Sequence, residues 1–382
     1  MTAPIVIAGS GLAGYTLARE LRKLDKETPV VMLSADDGGF YSKPMLSNAF
    51  ASGKSPEQLL NSSAAAMAAQ LAIEVRPHTR ISAIDVTAKV VVTDKGSLAY
   101  SSLVLALGAD PISLPLKGDA AADVLSVNDL ADYARFRTAI AGKKRVAILG
   151  AGLIGCEFAN DLATGGHEVD VIDLAALPLG RLLPEAPALA LRDALAQAGV
   201  RWHLGKRTAA IEHDGDALRV VFEDGSTIST DAVLSAVGLV PRTKLASAAG
   251  LKTKRGIAVD RNLRASVPDI YALGDCAEVD GLVLPYVMPI MHAARALAST
   301  LAGKEQAVRY PAMPVMVKTP ALPTVVCPPA MGATGEWVSE SAPGGTQSRF
   351  TASSGRLLGF ALTGDTQAMK AQLTKEIEPL LA

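Results

Sequence analysis

A strand, a Gly-x-Gly-x-x-Gly turn and a helix are written twice into this chain, 141 positions apart counted from Gly9 to Gly150. No other feature restricts its fold as strongly. In the first copy, residues 4–8 form a short apolar run with β-branched side chains, followed by Gly9-Ser10-Gly11-Leu12-Ala13-Gly14. A helix over 15–24 and a second strand over 30–33 are predicted next. The second copy has a strand at 145–149, the turn Gly150-Ala151-Gly152-Leu153-Ile154-Gly155, a helix over 156–164 and a strand at 168–173. The first glycine of such a turn permits the tight reversal, the second leaves room for a pyrophosphate, and the third lets helix and strand pack closely. The anion then rests on free N–H groups at the positive end of the helix dipole. Gly9, Ser10, Gly11, Leu12, Ala13 and Gly14 are therefore candidate dinucleotide contacts. So are Gly150, Gly152, Leu153, Ile154 and Gly155, in a second Rossmann-like unit of an α/β protein.

Asp173 closes the strand after the second turn, where a carboxylate accepts from the adenosine 2′-hydroxyl and repels a 2′-phosphate. No arginine follows it in Leu174-Ala175-Ala176-Leu177, so NADH is favoured over NADPH. The first unit has Ser34 at the matching place and Asp36 two residues on; either one can serve a ribose there. A strand over 230–237 ends in Gly238, a further candidate contact of the second nucleotide. Another over 269–273 ends in Gly274-Asp275.

Between these motifs, helices are predicted over 62–71, 129–139 and 293–302, and strands over 81–85, 90–93 and 103–107. From Pro311 onward prolines cluster, and strands over 336–340, 348–352 and 357–362 precede a closing helix over 366–381. This stretch reads as a small C-terminal α+β domain. A length of 382 residues with 49% hydrophobic side chains is enough for two or three cores. The formal net charge of −1 gives no reason to expect nucleic acid or an anionic membrane surface, and aromatics at 4% argue against a base-stacking face. No apolar run approaches the length of a membrane span, and the N-terminal stretch has no leader-like pattern, so a cytoplasmic protein is expected. The five histidines show no metal-ligand or triad spacing, and no metal site is expected. Cys156, Cys276 and Cys327 are isolated in sequence and form no redox pair. They read as small buried hydrophobes.

Taken together, the two glycine turns and Ile270-Tyr271-Ala272-Leu273-Gly274-Asp275-Cys276-Ala277 resemble the two-dinucleotide-binding-domain flavoproteins. The resemblance implies that the first turn holds FAD, with Asp275 on its ribityl chain, and that the second holds NADH. A helix N-cap is the plainer reading of Asp275. Residues 103–109 and 234–242 resemble the family's two chain crossings. They imply an FAD domain made of 1–110 and 241–310, an inserted NAD domain of 111–240 and a C-terminal domain of 311–382.

The branch of the family follows from what is missing and what replaces it. The stretch Phe40-Tyr41-Ser42-Lys43-Pro44-Met45-Leu46-Ser47 carries no cysteine, so no route to a disulfide is expected. Tyr41-Ser42-Lys43-Pro44 is similar to the segment of NADH-dependent ferredoxin and rubredoxin reductases. Asn48 stands where many ferredoxin reductases have lysine, and Val315-Met316-Val317-Lys318-Thr319-Pro320 is similar to a segment of the rubredoxin branch. The resemblance implies FAD contacts from Ser34, Lys43, Ile81, Glu157, Asp275, Val287 and Lys318. Against this, Lys43 and Lys318 read as surface cations, Ile81 and Val287 as core, and Glu157 as a solvated helix carboxylate. The implied activity is electron transfer from NADH through FAD to rubredoxin by a monomer, with no side chain acting as nucleophile. A ferredoxin or flavorubredoxin reductase and a slow flavin-bound NAD sensor are the alternatives.

Overall fold

The computed structural model describes residues 3–382; Met1 and Thr2 of the N-terminal stretch lie outside the described residues. Both glycine turns sit at the ends of parallel strands, as their sequence demands. In the first sheet the order is Ile270–Ala272, Ser102–Leu105, Ile5–Ala8, Val30–Leu33, Glu74–Arg76, all parallel. In the second it is Ala232–Ser235, Arg145–Leu149, Glu168–Asp173, Val200–Leu204, again all parallel. Strands covered on both faces read as unbroken apolar runs rather than alternations, and Ile5–Ala8 is buried at every position.

The repeat extends beyond the glycine turns. Each unit inserts a three-stranded antiparallel meander between its third and fourth strands in chain order. The first is Ile81–Asp85, Val90–Thr93 and Gly96–Ala99. The second is Thr208–Asp214, Ala217–Phe222 and Thr227–Thr230. Where the chain passes between units, Ala109–Pro111 pairs antiparallel with Leu239–Pro241. Arg242 braces this crossing through Asp110 at 2.6 Å and the Leu107 carbonyl at 3.0 Å.

The C-terminal part is a five-stranded antiparallel sheet ordered Val315–Val317, Thr324–Cys327, Leu357–Thr363, Gly345–Thr351, Glu336–Ala342. It is fused to the second unit by a common core. Val317, Val326 and Ala361 pack in one buried cluster with Phe158 and Leu162, and Leu46 and Ala49 of the first unit join them.

Several boundaries differ from the sequence expectation. The glycine helices begin at Leu12 and Leu153, because the last residues of each turn already form the first helical turn. The helix expected over 293–302 starts at Val287, with Pro289 in a first turn that has no N–H partner to lose. The strand expected over 230–237 is two strands, Thr227–Thr230 and Ala232–Ser235, in different sheets. Asp231 separates them and bonds Arg145. The closing helix is only Lys370–Glu376, after a 3-10 turn at Gly364–Met369. The chain leaves the helix at Ile377, which is extended, and Pro379 keeps it from resuming, because the residue before a proline is pushed out of the helical region. Among the described residues no helix is long and apolar enough to cross a membrane.

Candidate functional site

Both glycine turns open onto one continuous cleft of about 3350 Å³. Pockets for single small ligands are roughly 300–1000 Å³, so this space exceeds what one of them needs. Gly9, with φ +119°, and Gly150, with φ +106°, occupy the left-handed half of φ space, where a side chain would meet the carbonyls of Ala106 and Ala236. A Cβ on Gly14 would overlap the Gly9 carbonyl, and one on Gly155 the Gly150 carbonyl. Gly11 and Gly152 are the opposite case, with nothing within 4 Å of an added Cβ. Each loop thus packs tightly at its ends and leaves space at its middle glycine, the cradle that a pyrophosphate requires.

Three helices aim their first turns into the cleft: Leu12–Leu24, Leu153–Thr164 and Val287–Leu301. None has a side-chain cap at its N-terminus. Their leading N–H groups, which no carbonyl of the helix satisfies, face the space with positive partial charge. Leu12, Ala13, Leu153, Ile154 and Val287 line the cleft through these turns, and Ile81 and Gly238 line it from strand ends. Val287 is 37% exposed there, so it is no core residue.

At the end of the second strand of the first unit, Ser34 Oγ lies 2.6 Å from Ser10 Oγ, and the Ser34 hydroxyl also donates to Asp36. The Ser34 hydroxyl is engaged within the protein, and Asp36 offers the exposed carboxylate. In the second unit Asp173 accepts from the Ala151 N–H at 2.5 Å and the Ala175 N–H at 2.7 Å. Its carboxylate stays within the cleft wall.

Lys43 and Asp275 also line the cleft. Lys43 donates to Asn128 Oδ1 at 2.6 Å, and Asn128 Nδ2 donates to the Ala109 carbonyl at 2.9 Å. Burial holds the Lys43 ammonium below its ordinary pKa, partly offset by the charge of Asp275. Burial likewise raises the Asp275 carboxyl, with Lys43 opposing. Asp275 lies in the 3-10 turn Gly274–Cys276 and is no helix N-cap. Its desolvation predicts a conflict between fold and site. A carboxyl whose folded pKa is raised contributes most stability below its unfolded value of 3.8, and that contribution is lost as pH rises through the folded pKa. Asp275→Asn apoprotein is therefore expected to be more stable than wild type at neutral pH. Urea midpoints should show the gap closing as pH falls toward 4; a gap independent of pH would refute the assignment.

Glu157 is fully buried rather than solvated. Its Oε2 accepts from Ser47 Oγ at 2.5 Å and pairs with Lys318 Nζ at 2.8 Å, and its Oε1 accepts from the Lys318 N–H at 3.0 Å. Lys318 reaches the cleft wall with its ammonium already engaged inside the protein. The sequence reading missed Asn128 and Ser47 as partners. Each lies in a loop or turn with no motif of its own, and only the fold brings them across 85 and 110 positions to Lys43 and Glu157. All three cysteines are buried and free, and burial raises each thiol.

Two parallel dinucleotide units that share one cleft define a protein built to hold two nucleotides side by side. A family model described as pyridine nucleotide-disulphide oxidoreductase matches residues 3–299, and the chain belongs to that family. A second model, described as a rubredoxin binding C-terminal domain, matches residues 307–377. Similar relatives are the rubredoxin-NAD(+) reductase of Alcanivorax borkumensis, 52% identical over 99% of both chains, and that of Acinetobacter baylyi, 46% identical over 99% of this chain and 98% of the other. Among solved structures, the ferredoxin reductase for the CYP199A2 system from Rhodopseudomonas palustris matches with a TM-score of 0.89 at 28% identity, over 99% of this chain and 96% of that one.

Proposed function

We propose that the chain is an NADH-dependent flavoprotein reductase that hands electrons to rubredoxin. The observation that carries this reading is the pairing of two dinucleotide cradles on one cleft with a C-terminal sheet built onto the wall of that cleft. The names of the two relatives similar over their whole length point the same way. Bound FAD supplies the chemistry that joins a two-electron hydride donor to a one-electron acceptor.

In this reading the first cradle, from Gly9 to Gly14, takes the FAD pyrophosphate on the N-terminus of its helix. Asp275 accepts from the ribityl hydroxyls, and Lys43, held by Asn128, presents a cation to the ring system. Such a charge is worth more where water is excluded. The second cradle takes NADH, with Asp173 on the ribose. The domains divide at the strand pair Ala109–Pro111 and Leu239–Pro241, so that 111–240 is the inserted NAD domain and 311–382 the C-terminal one. No side chain serves as nucleophile, since the three cysteines are buried and separate. A cytoplasmic monomer completes the proposal.

Asp173 gives a sharp test of the second cradle. Unit charges about 4 Å apart interact by ~4 kcal/mol at an effective dielectric of about 20, so a carboxylate there strongly disfavours a 2′-phosphate. Asp173→Asn keeps an oxygen for the Ala151 N–H and removes the charge. The ratio of kcat/KM for NADPH over NADH is expected to rise on the order of 1000-fold; an unchanged ratio would place the ribose elsewhere. The function itself is tested by anaerobic stopped-flow mixing with NADH, followed by steady-state turnover with rubredoxin and with ferredoxin. Flavin bleaching within the enzyme's turnover time and faster reduction of rubredoxin are expected. Bleaching over minutes would sink the reductase reading.

A further inference from the structure

Lys318 arrives at the cleft from the C-terminal sheet, immediately after the strand Val315–Val317. A lysine is a point charge on a flexible stem, and its side chain here is 34% exposed, so one carboxylate partner alone leaves it free to turn toward water. Asn48, at the end of the 3-10 turn Lys43–Asn48, grips this residue at both ends. Its Nδ2 donates to the Lys318 carbonyl at 2.8 Å, and its Oδ1 accepts from the Lys318 ammonium at 2.8 Å. The ammonium also donates to Ser47 Oγ at 3.1 Å and to the Pro44 carbonyl, both on the same turn. Pro44, Ser47, Glu157 and Lys318 line the cleft, and Asn48 is outside that lining.

We propose that Asn48 is a positioning residue that fixes the Lys318 ammonium on Glu157, so that the charge of the cleft wall is set by how the C-terminal sheet is seated. This rests on reading the cleft as the FAD site. Glu157 is buried, and its carboxylate is compensated only while the ammonium stays in place. If Asn48 lets go, Lys318 loses one of its four ammonium partners and the grip on its carbonyl, the ammonium samples solvent, and the cleft wall gains negative charge. A negative charge there opposes adding electrons to a bound flavin. The geometry also allows the cation to come from the turn instead. A lysine side chain at position 48 carries its nitrogen two bonds farther than the asparagine oxygen, about the one hydrogen bond that separates Asn48 Oδ1 from the ammonium.

The test is the midpoint potential of FAD bound to the holoprotein, read by dye equilibration, with the visible spectrum confirming that the flavin is seated. Asn48→Ala and Lys318→Asn are each expected to shift the reduced-to-oxidised equilibrium about tenfold toward oxidised, roughly 30 mV more negative for a two-electron couple. The double variant Asn48→Lys/Lys318→Asn is expected to return to within about threefold of wild type, or roughly 15 mV. Asn48→Ala at the wild-type potential beside a shifted Lys318→Asn would overturn the positioning role. So would a double variant no closer to wild type than Lys318→Asn alone. Wild-type protein that takes up no FAD overturns the reading of the cleft and the role together, a result distinguishable because it needs no variant.

Discussion

Gly14→Val is expected to yield a chain that does not reach its native fold, whereas Gly11→Ala, three residues earlier, folds and fails to hold FAD. The two glycines belong to one turn and differ in what surrounds them. A Cβ at Gly14 would overlap the Gly9 carbonyl oxygen and crowd its carbon at 3.1 Å. The first obstacle is backbone, so the helix must move off the strand Ile5–Ala8, which is buried throughout. Ordinary overpacking costs about 1–3 kcal/mol because side chains yield; with a fixed carbonyl the cost is expected to exceed ~4 kcal/mol, in the exceptional range for one substitution. At Gly11 an added Cβ meets nothing within 4 Å, and φ is −71°, which any residue adopts. Stability there is expected to stay within ~0.5 kcal/mol of wild type. The space it fills is the space the pyrophosphate needs. Denaturant melts of the apoproteins and FAD titration separate the cases. Gly14→Val with wild-type flavin content, or Gly11→Ala with wild-type affinity, would refute the account.

This contrast also marks how far the sequence could be read. The two turns, their strands and the order of the remaining motifs were legible, because a glycine turn between a buried strand and a helix has few other uses. The placement of Asp173 and Asp275 on the cleft was legible for the same reason: Asp173 ends a strand that reaches the cleft and Asp275 follows another. The second meander was not. Its strands Thr208–Asp214 and Ala217–Phe222 carry no glycine signature of function, although the first unit has the same insertion in the same place. The closing helix is shorter than the expected 366–381, because residues 364–369 form a 3-10 turn and the chain is extended from Ile377. Side-chain partners were the least legible layer. Glu157 could be named only through the family resemblance; read alone it was a solvated helix carboxylate. Only the fold shows that Ser47, from the first unit, and Lys318, from the C-terminal sheet, close over it.

That closure sets the second large effect. Glu157→Ala is expected to destabilise the protein by about 3 kcal/mol, the low end of what breaking a buried pair costs. The low end applies because Lys318 is 34% exposed and can find water. The loss is not confined to charge. Glu157 gathers the Ser47 hydroxyl, the Lys318 N–H and the Lys318 ammonium, and a buried donor left without a partner costs about 1–3 kcal/mol by itself. These donors come from two segments, one on the 3-10 turn at Lys43–Asn48 and one at the edge of the C-terminal sheet. Glu157→Ala should therefore loosen both places at once. Hydrogen exchange is expected to accelerate at residues 43–50 and 315–319, while the strand Arg145–Leu149 stays protected. Glu157→Gln keeps one oxygen for the Lys318 N–H and turns its NH2 toward Ser47 Oγ, which can accept from it, while the ion pair with the Lys318 ammonium is lost, so it should cost about half as much. Equal costs for the two variants would assign the whole effect to the ion pair. Exchange confined to the helix Leu153–Thr164 would mean that Glu157 stabilises its own helix and does not join the segments that meet on it.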